Sequence, residues 1–466
     1  MEIKKGVKYM LEGIKISELP ETHSLEEQDY VAVVQDGQTR KVKGTAFYRI
    51  KTKVVDNTYD GGRDKALSAE AGKTISEELE KFKAQKISEP TINFINTSRD
   101  EDAILIKSKS GETILIDSGE RANQNNAINR MEWLNIRRLD YFIITHFHSD
   151  HAGGAVEIIR RYNPKLVIYK TIDFDRLPAH EIEWETKRYY EEFIDVCNEL
   201  NIETLDIKED RYFNLKNGYE SFGILATKSL DYEDYNGCSL IVHYKYNSSN
   251  CIFLGDSTQK SQNAYLNKLP HMEFMKMSHH GGYNNTSLNF CRDILPSVSF
   301  ANGYGLNNFY QNLSLVKYSN NSKTVVKGEK NVATIKVTDG GVILSENIEE
   351  VRFSNKLTIE NKEIMIKDGM LISNGIVNYY GVDYFVYNGE IFVNNEETWA
   401  VWNEEDILVD RDGSILKNYW KESRSVLGSY FYLDENGRML KNTSRIIGNK
   451  LHTFDNSGLT SISPIV

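Results

Sequence analysis

Three histidines and an aspartate lie within six residues of this 466-residue chain, at His146, His148, Asp150 and His151. Neutral imidazoles and carboxylates are the ligands that hydrolytic divalent cations bind, and one short loop can bring several of them together. His146 and His148 are two residues apart and can face one ion, whereas Asp150 and His151 turn towards a second. The segment therefore predicts a metal-dependent hydrolase centre with two ions.

The segment follows an apolar stretch, Tyr141 to Ile144, that is typical of a buried strand. From Thr91 to about Glu346, apolar runs alternate with amphipathic ones, which predicts an α/β body with a sizeable core. We therefore place the hydrolase domain at residues 91–346, with the metal ligands in loops that follow strands.

Two further regions flank this body. Residues 1–90 contain a β-like stretch from Tyr30 to Val34 and, from about Lys65 to Lys83, an amphipathic helix that is either ordinary or self-associating. In residues 347–466, aromatic strands recur between Gly or Asn turns, and Gly437 and Gly458 of two similar units are separated by 21 residues. The C-terminal region is therefore predicted to be a β-hairpin repeat array.

The composition excludes several classes of protein. A net charge of −11 disfavours a broad nucleic-acid-binding face. The four cysteines show no CxxC pairing, which favours buried free thiols. No apolar run has the length of a signal-peptide core at the N-terminus or of a membrane span elsewhere, so we expect synthesis in the cytoplasm without export by that route and no membrane contact.

The segment from His146 to Gly154 resembles the first metal motif of the metallo-β-lactamase superfamily. Thr113 to Gly119 resembles one of its early strands, and Asp256, after an apolar strand, has the position of the family's bridging aspartate. The resemblance implies an αββα sandwich in which Asp256 contacts both ions. It also implies that Asp117 lies behind a ligand and orients it.

The stretch from Met275 to Gly282 resembles the last metal motif of one branch, which contains DNA-uptake competence proteins and teichoic-acid phosphorylcholine esterases. That branch implies a phosphoester substrate. We prefer His279 as the ligand and His280 as the proton donor, with the opposite assignment left open. Many superfamily enzymes have another histidine for the first ion, but His180 and His243 both lack the sequence setting expected of that ligand.

The resemblance implies two divalent ions, zinc first with manganese or iron as alternatives, that provide hydroxide at neutral pH. Asp150 would orient the nucleophile and bind the second ion, and His280 would protonate the leaving alkoxide. Tyr283, Asn284 and Tyr304 are candidates for the substrate cleft, or else ordinary polar loop residues.

Both ends of the chain also resemble known modules. Two stretches, Lys15 to Glu21 leading to Val33 to Lys41, and Gly61 to Lys73, resemble attachment regions of bacteriophage tail, baseplate and appendage proteins. The C-terminal units resemble cell-wall-binding repeats, although they lack the regular Gly-Trp that opens such units. These resemblances imply a virion protein that contacts other tail or baseplate proteins through residues 1–90, forms a homo-oligomer and binds a wall polymer.

The expected function is cleavage of host teichoic acid by a metal-dependent phosphodiesterase during adsorption. Two alternatives remain at this point: a receptor-binding appendage whose hydrolase fold is weakly catalytic or inactive, and a nuclease. A third, β-lactam hydrolysis, has no support beyond the superfamily's name.

Overall fold

The computed structural model describes strands β1 (Tyr30–Gln35) and β2 (Gln38–Lys43) and residues 89–96, 100–226, 234–303, 305–327, 332–345 and 347–461. The chain divides into two units, Met1–Ser88 and Glu89–Val466. In the first unit, β1 and β2 pair antiparallel. The helix predicted near Lys65 to Lys83 lies outside the described residues.

The second unit begins with an alternation of strands and helices. Its strands are β3 (Thr91–Phe94), β4 (Ile104–Lys107), β5 (Thr113–Ile116), β6 (Tyr141–Ile143), β7 (Leu166–Tyr169), β8 (Thr204–Asp206), β9 (Arg211–Asn214), β10 (Glu220–Leu225), β11 (Ile241–Tyr246), β12 (Ser249–Phe253), β13 (Phe274–Lys276), β14 (Val298–Phe300), β15 (Lys323–Lys327), β16 (Ala333–Thr338), β17 (Gly341–Leu344) and β18 (Ile348–Glu350). Its helices are α1 (Gln124–Trp133), α2 (Ser149–Ala152), α3 (Ala155–Tyr162), α4 (Ala179–Glu183), α5 (Thr186–Glu199), α6 (Gln259–Asn263), α7 (Leu288–Ile294) and α8 (Phe309–Asn320). Single 3₁₀ turns occupy Arg121–Asn123, Phe174–Arg176, Tyr235–Cys238 and Ser278–Gly281.

These strands form two eight-stranded sheets, in the orders β17-β16-β3-β4-β5-β6-β7-β8 and β18-β15-β14-β13-β12-β11-β10-β9. Apolar residues of both sheets share one buried cluster, which includes Phe94 of the first sheet and Phe300 of the second, stacked at 3.8 Å. Helices α1, α3 and α5 cover the outer face of the first sheet, and α7 and α8 cover that of the second. The predicted αββα sandwich is thus confirmed.

Strand direction determines where polar loops meet. Strands β5 to β8 run parallel to one another, as do β12 to β15. Parallel neighbours bring their carboxyl ends to one edge of a sheet. The loops after β5, β6, β12 and β13 carry Asp117, the histidine segment, Asp256 and the His279-His280 pair, in that order.

The C-terminal region consists of antiparallel strands. They are β19 (Asn355–Ile359), β20 (Lys362–Lys367), β21 (Met370–Leu371), β22 (Gly375–Tyr379), β23 (Val382–Tyr387), β24 (Glu390–Ile391), β25 (Thr398–Trp402), β26 (Glu405–Val409), β27 (Tyr419–Glu422), β28 (Tyr430–Leu433), β29 (Thr443–Ile447) and β30 (Lys450–Phe454). The first three form one sheet, the next three a second, and the rest pair as successive hairpins. The predicted hairpin array is confirmed.

The segment after each later hairpin returns to the hairpin before it. Ile415 N donates to Asp383 O at 2.7 Å, and Met439 N donates to Asp406 O at 2.9 Å. Gly437 has φ +81°, and a Cβ at this residue would lie 2.4 Å from Ile415 Cγ2. Glycine is therefore required there both by the backbone conformation and by the close approach of the neighbouring unit.

The sandwich extends slightly beyond residue 346, because β18 pairs with β15. Val351, Phe353 and Ile366 join the apolar cluster beneath α7 and α8. The sheet β19-β20-β21 therefore packs on the hydrolase body, and the separate hairpins follow it. All four cysteines are buried and unpaired, as their sequence settings predict. Among the described residues, no helix combines the length and apolar character needed to cross a membrane.

Candidate metal centre

Asp117 anchors the loop that carries the histidine segment. Its Oδ1 accepts from Thr145 N and its Oδ2 from Thr145 Oγ1, both at 2.8 Å. His151 Nδ1 lies 2.8 Å from Asp117 Oδ2, which leaves Nε2 of that ring to face the centre. Burial raises the pKa of Asp117, although His151 acts in the opposite direction. Asp117 thus occupies the orienting place that the resemblance implies.

His151 Nε2 faces two carboxylates. It lies 3.2 Å from Asp256 Oδ1 and 3.3 Å from Asp150 Oδ2. Within the described part of the chain, neither His151 Nε2 nor Asp256 Oδ1 has a hydrogen-bond partner, and both atoms are buried. Buried polar atoms are rarely left without a partner, so this pair is suited to a cation.

His280 completes a compact group with these residues. Its Nε2 lies 3.0 Å from Asp150 Oδ2 and 3.9 Å from Asp256 Oδ2, and its Nδ1 lies 3.4 Å from Asp102 Oδ1. Ligand atoms of Asp102, His151, Asp256 and His280 all lie within 4.8 Å of one another. Four buried ligand atoms this close together could hold a metal ion.

Asp102 is not among the ligands predicted from the sequence. It lies just before β4, whose antiparallel pairing with β5 brings it to the same edge as Asp117. Its carboxylate forms a buried ion pair with Lys276 and accepts from Asn302 Nδ2 at 3.2 Å. In the sequence, Asp102 ends an acidic run from Asp100 that precedes an apolar strand. Such a run is also typical of a solvated turn, so it does not by itself indicate a metal ligand.

His279 lies at the rim of the centre. Its Nε2 is 3.5 Å from Asp256 Oδ2, and its side chain is 20% exposed. Tyr283 stacks on its ring at 4.3 Å, and Asn285 Nδ2 lies 2.7 Å from its Nδ1. His279 and His280 both have positive φ, 48° and 58°, a strained conformation that is characteristic of functional turns. Both imidazoles approach Asp256, so the preference for His279 as the ligand stays a prediction.

His146 and His148 form a second group. His146 Nε2 lies 3.0 Å from His148 Nδ1, and the Tyr235 ring contacts both imidazoles edge-on. Burial and the neighbouring imidazoles His151 and His148 lower the pKa of His146 well below its usual value. A neutral imidazole is the form that binds a metal.

Charge is concentrated around His151 and His280. Burial opposes charge on His151, but Asp256, Asp150 and Asp117 raise its pKa well above the usual value. Burial also opposes charge on His280, but Asp256 and Asp102 raise its pKa to about 9. Burial would raise the pKa of Asp256, yet His151, His279 and His280 hold this pKa well below its usual range. The neighbouring carboxylates thus favour protonation of these imidazoles in the metal-free fold, and a divalent cation would compete with those protons.

The remaining predicted residues have different settings. Tyr283 is 43% exposed and Asn284, also exposed, accepts from Asn308 Nδ2 at 2.8 Å, so both are accessible from solvent. Tyr304 lies outside the described residues. His243 on β11 faces Asn250, and the half-exposed His180 lies 3.6 Å from Glu181 Oε1.

A further residue missed from the sequence is Glu181. Its Oε2 lies 2.9 Å from His148 Nε2, on the edge of the ring opposite to His146. Its only sequence signal is the His-Glu pair of a short helix, which surface helices commonly contain.

The donor set fits divalent cations of the zinc, manganese or iron type. Imidazole nitrogens of His146, His148, His151 and either His279 or His280 could hold them, together with the carboxylates of Asp150 and Asp256. The unpartnered atoms of His151 and Asp256 are the structural observation that supports this fit.

Comparison with known proteins agrees with this geometry. Residues 97–292 match the family model described as the Metallo-beta-lactamase superfamily. The chain is 24% identical over 178 residues to "ComE operon protein 3" of Bacillus subtilis, and 30% identical over 78 residues to a hydroxyacylglutathione hydrolase of Citrobacter koseri. Residues 97–292 thus resemble the Metallo-beta-lactamase superfamily in sequence, and the sandwich has the fold of that superfamily.

These relatives correspond to only part of the chain. The two alignments cover 38% and 17% of this chain, and 21% and 29% of the respective relatives. Among solved structures, a metallo hydrolase of Ignicoccus hospitalis, Igni18, aligns with 53% of this chain and 100% of its own, at 15% identity and a TM-score of 0.37.

Proposed function

We propose that this protein is a metal-dependent phosphodiesterase that cleaves teichoic acid of the bacterial wall, as part of a phage tail or appendage. The observation that carries the proposal is the convergence of the histidine segment, Asp256 and the His279-His280 pair at one edge of the sandwich. When bound, two divalent cations would supply Lewis acidity and activated water.

The residues at the rim suit a reaction at phosphorus. Asp150 is partly accessible, with 24% of its side chain exposed, and its Oδ2 faces His151 and His280. The Asp150 carboxylate can orient an attacking water molecule by accepting a hydrogen bond from it. His280 Nε2 points to the same carboxylate and can donate a proton to the leaving alkoxide, while Asp102 faces its other nitrogen.

Two features support a phosphoester over other substrates. The last motif resembles the competence-protein and phosphorylcholine-esterase branch, and the alignment to "ComE operon protein 3" is longer than that to hydroxyacylglutathione hydrolase. Thioester hydrolysis, suggested by the second relative, is the activity against which phosphodiester cleavage is compared.

The C-terminal array supports a wall polymer as the target. Trp420 lies 4.8 Å from Tyr432 and 4.8 Å from His452, so one aromatic cluster joins two successive hairpins. Aromatic faces stack on sugars and attract quaternary ammonium groups. The alternative is that these rings only bury one another and the array is a stalk.

The test is the release of phosphorylated polyol from purified wall teichoic acid by the zinc-loaded protein. We expect release by the wild type and none by the His146→Ala, His148→Ala double variant. Bis(p-nitrophenyl) phosphate, S-lactoylglutathione and single-stranded DNA are the comparison substrates. Faster cleavage of S-lactoylglutathione or of DNA than of teichoic acid and bis(p-nitrophenyl) phosphate would reject the assignment.

Wall binding is tested separately by sedimentation with walls. Adsorption that survives the double variant but falls in Trp420→Ala would support an array that binds and a domain that cuts. Adsorption by a wild type that cleaves none of the four substrates would instead favour the receptor-binding alternative.

A further inference from the structure

Glu181 contacts the first pair of histidines from outside the metal motifs. We infer that Glu181 is a positioning residue that holds the His148 ring with Nδ1 towards His146, so that the first metal position depends on helix α4. This inference rests on the metal centre of the proposed function. It concerns the one ligand group for which the expected third histidine is missing.

The carboxylate of Glu181 is built into the protein interior. The residue is 2% exposed, and its Oε2 lies 2.9 Å from His148 Nε2. Thr186 Oγ1, from the first residue of α5, donates to the same oxygen at 2.6 Å. One oxygen thus accepts two hydrogen bonds, which holds the carboxylate in place between two helices.

The contact determines the tautomer of His148. An ionised carboxylate can only accept hydrogen bonds, so His148 Nε2 must carry the hydrogen. In a neutral ring, Nδ1 then keeps its lone pair, and this nitrogen lies 3.0 Å from His146 Nε2. The hydrogen bond to Glu181 therefore prepares Nδ1 to bind a cation.

The same geometry argues against Glu181 as a ligand. The two nitrogens of an imidazole lie on opposite edges of the ring, and Glu181 meets the edge that faces away from His146. Two aromatic rings also contact His148 edge-on, Tyr235 at 5.3 Å and Trp184 at 5.5 Å. These contacts limit rotation of the ring, while Glu181 selects which nitrogen faces His146.

The test measures zinc affinity by competition with a chromophoric chelator. In Glu181→Ala we expect one of two zinc ions to bind about 10–100-fold more weakly, the usual effect of removing a partner behind a ligand, and the other to be unchanged. Glu181→Gln keeps an acceptor oxygen and should retain most of the affinity. Glu183→Ala, an exposed glutamate on the same helix, is the matched control and should bind as wild type.

Nitrogen-15 NMR of the metal-free protein gives a second readout that a merely structural role would not change. We expect the Nε2–H tautomer of His148 in the wild type and in Glu181→Gln, and a mixture in Glu181→Ala. Wild-type zinc affinity at both positions in Glu181→Ala, or an unchanged tautomer, would overturn the inference. So would a wild type that binds a single ion.

Thermal unfolding of each variant identifies a general loss of fold, in which case Glu181→Gln decides the question. Failure of the proposed function would look different. A wild type with two zinc ions that cleaves no phosphodiester would reject the phosphodiesterase and leave the role of Glu181 intact.

Discussion

The two halves of the candidate metal centre are built differently. The inner half, His151, Asp256 and His280, follows the carboxyl ends of β6, β12 and β13 and is surrounded by further charged groups. The outer half, His146 and His148, has one carboxylate contact, from Glu181 on a short helix, and it reaches the far edge of the His148 ring. Both halves therefore follow strand ends, and the outer half is held in addition by helix α4.

Because of this difference, we expect the two halves to bind a cation with different affinities. Around the inner half, Asp117, Asp150 and Asp102 compensate the imidazoles and stabilise positive charge. Near His146, burial and other imidazoles disfavour positive charge. A divalent ion should therefore bind the inner half more tightly.

The largest effect is expected from Asp256→Ala, which removes the carboxylate that faces His151, His279 and His280. Loss of Lewis-acid stabilisation worth several kcal/mol should lower kcat/KM for bis(p-nitrophenyl) phosphate by about a thousandfold or more. Zinc content should fall together with activity. Near-normal activity with normal zinc content would show that the inner half is not the reactive one.

Lys276→Met tests the charged surroundings of the inner half. Lys276 is fully buried and pairs with the buried Asp102, so its removal takes away the ammonium group that balances this carboxylate. The free energy of unfolding should fall by about 3–5 kcal/mol, as measured by denaturant titration. The double variant Lys276→Met, Asp102→Asn should recover part of the loss, whereas an equal or larger loss would contradict this role for the ion pair.

The metal-free protein should lose stability as pH rises through about 9. The pKa of His280 is raised from 6.5 to about 9 in the fold. Protonated His280 therefore stabilises the folded state fully below about pH 6.5, and this stabilisation is lost as pH rises through about 9. The pKa of Asp256 is lowered, so this carboxylate changes the stability of the fold only at acid pH. We expect Tm in the presence of chelator to fall by several degrees between pH 6.5 and 9.

Zinc should weaken this pH dependence, because metal binding favours deprotonated imidazoles. His280→Gln in chelator should flatten the Tm profile as well. A metal-free wild type whose Tm stays level or rises over this range would contradict the charge state inferred for the inner half.

Residue spacing predicted much of the sandwich and of the centre. The histidine segment and Asp256 could be found because each follows an apolar strand at its carboxyl end. Asp102 and Glu181 could not, because their roles arise from contacts with Lys276, 174 residues away, and with His148, 33 residues away. Such pairings depend on how the sheets and helices pack, and a single sequence carries no periodic signal for them.

The hairpin array shows the same limit. Its 21-residue spacing predicted repeated hairpins, and the structure contains them. The return of each connecting segment to the preceding hairpin, as from Met439 to Asp406, is a contact between units that the period does not encode.

The most direct test of the unequal halves is a zinc competition titration of the wild type beside the His146→Ala, His148→Ala double variant. We predict two ions in the wild type, the weaker by at least about tenfold, and loss of only the weaker ion in the double variant. Two ions of equal affinity, or loss of the tighter ion in the double variant, would contradict the account.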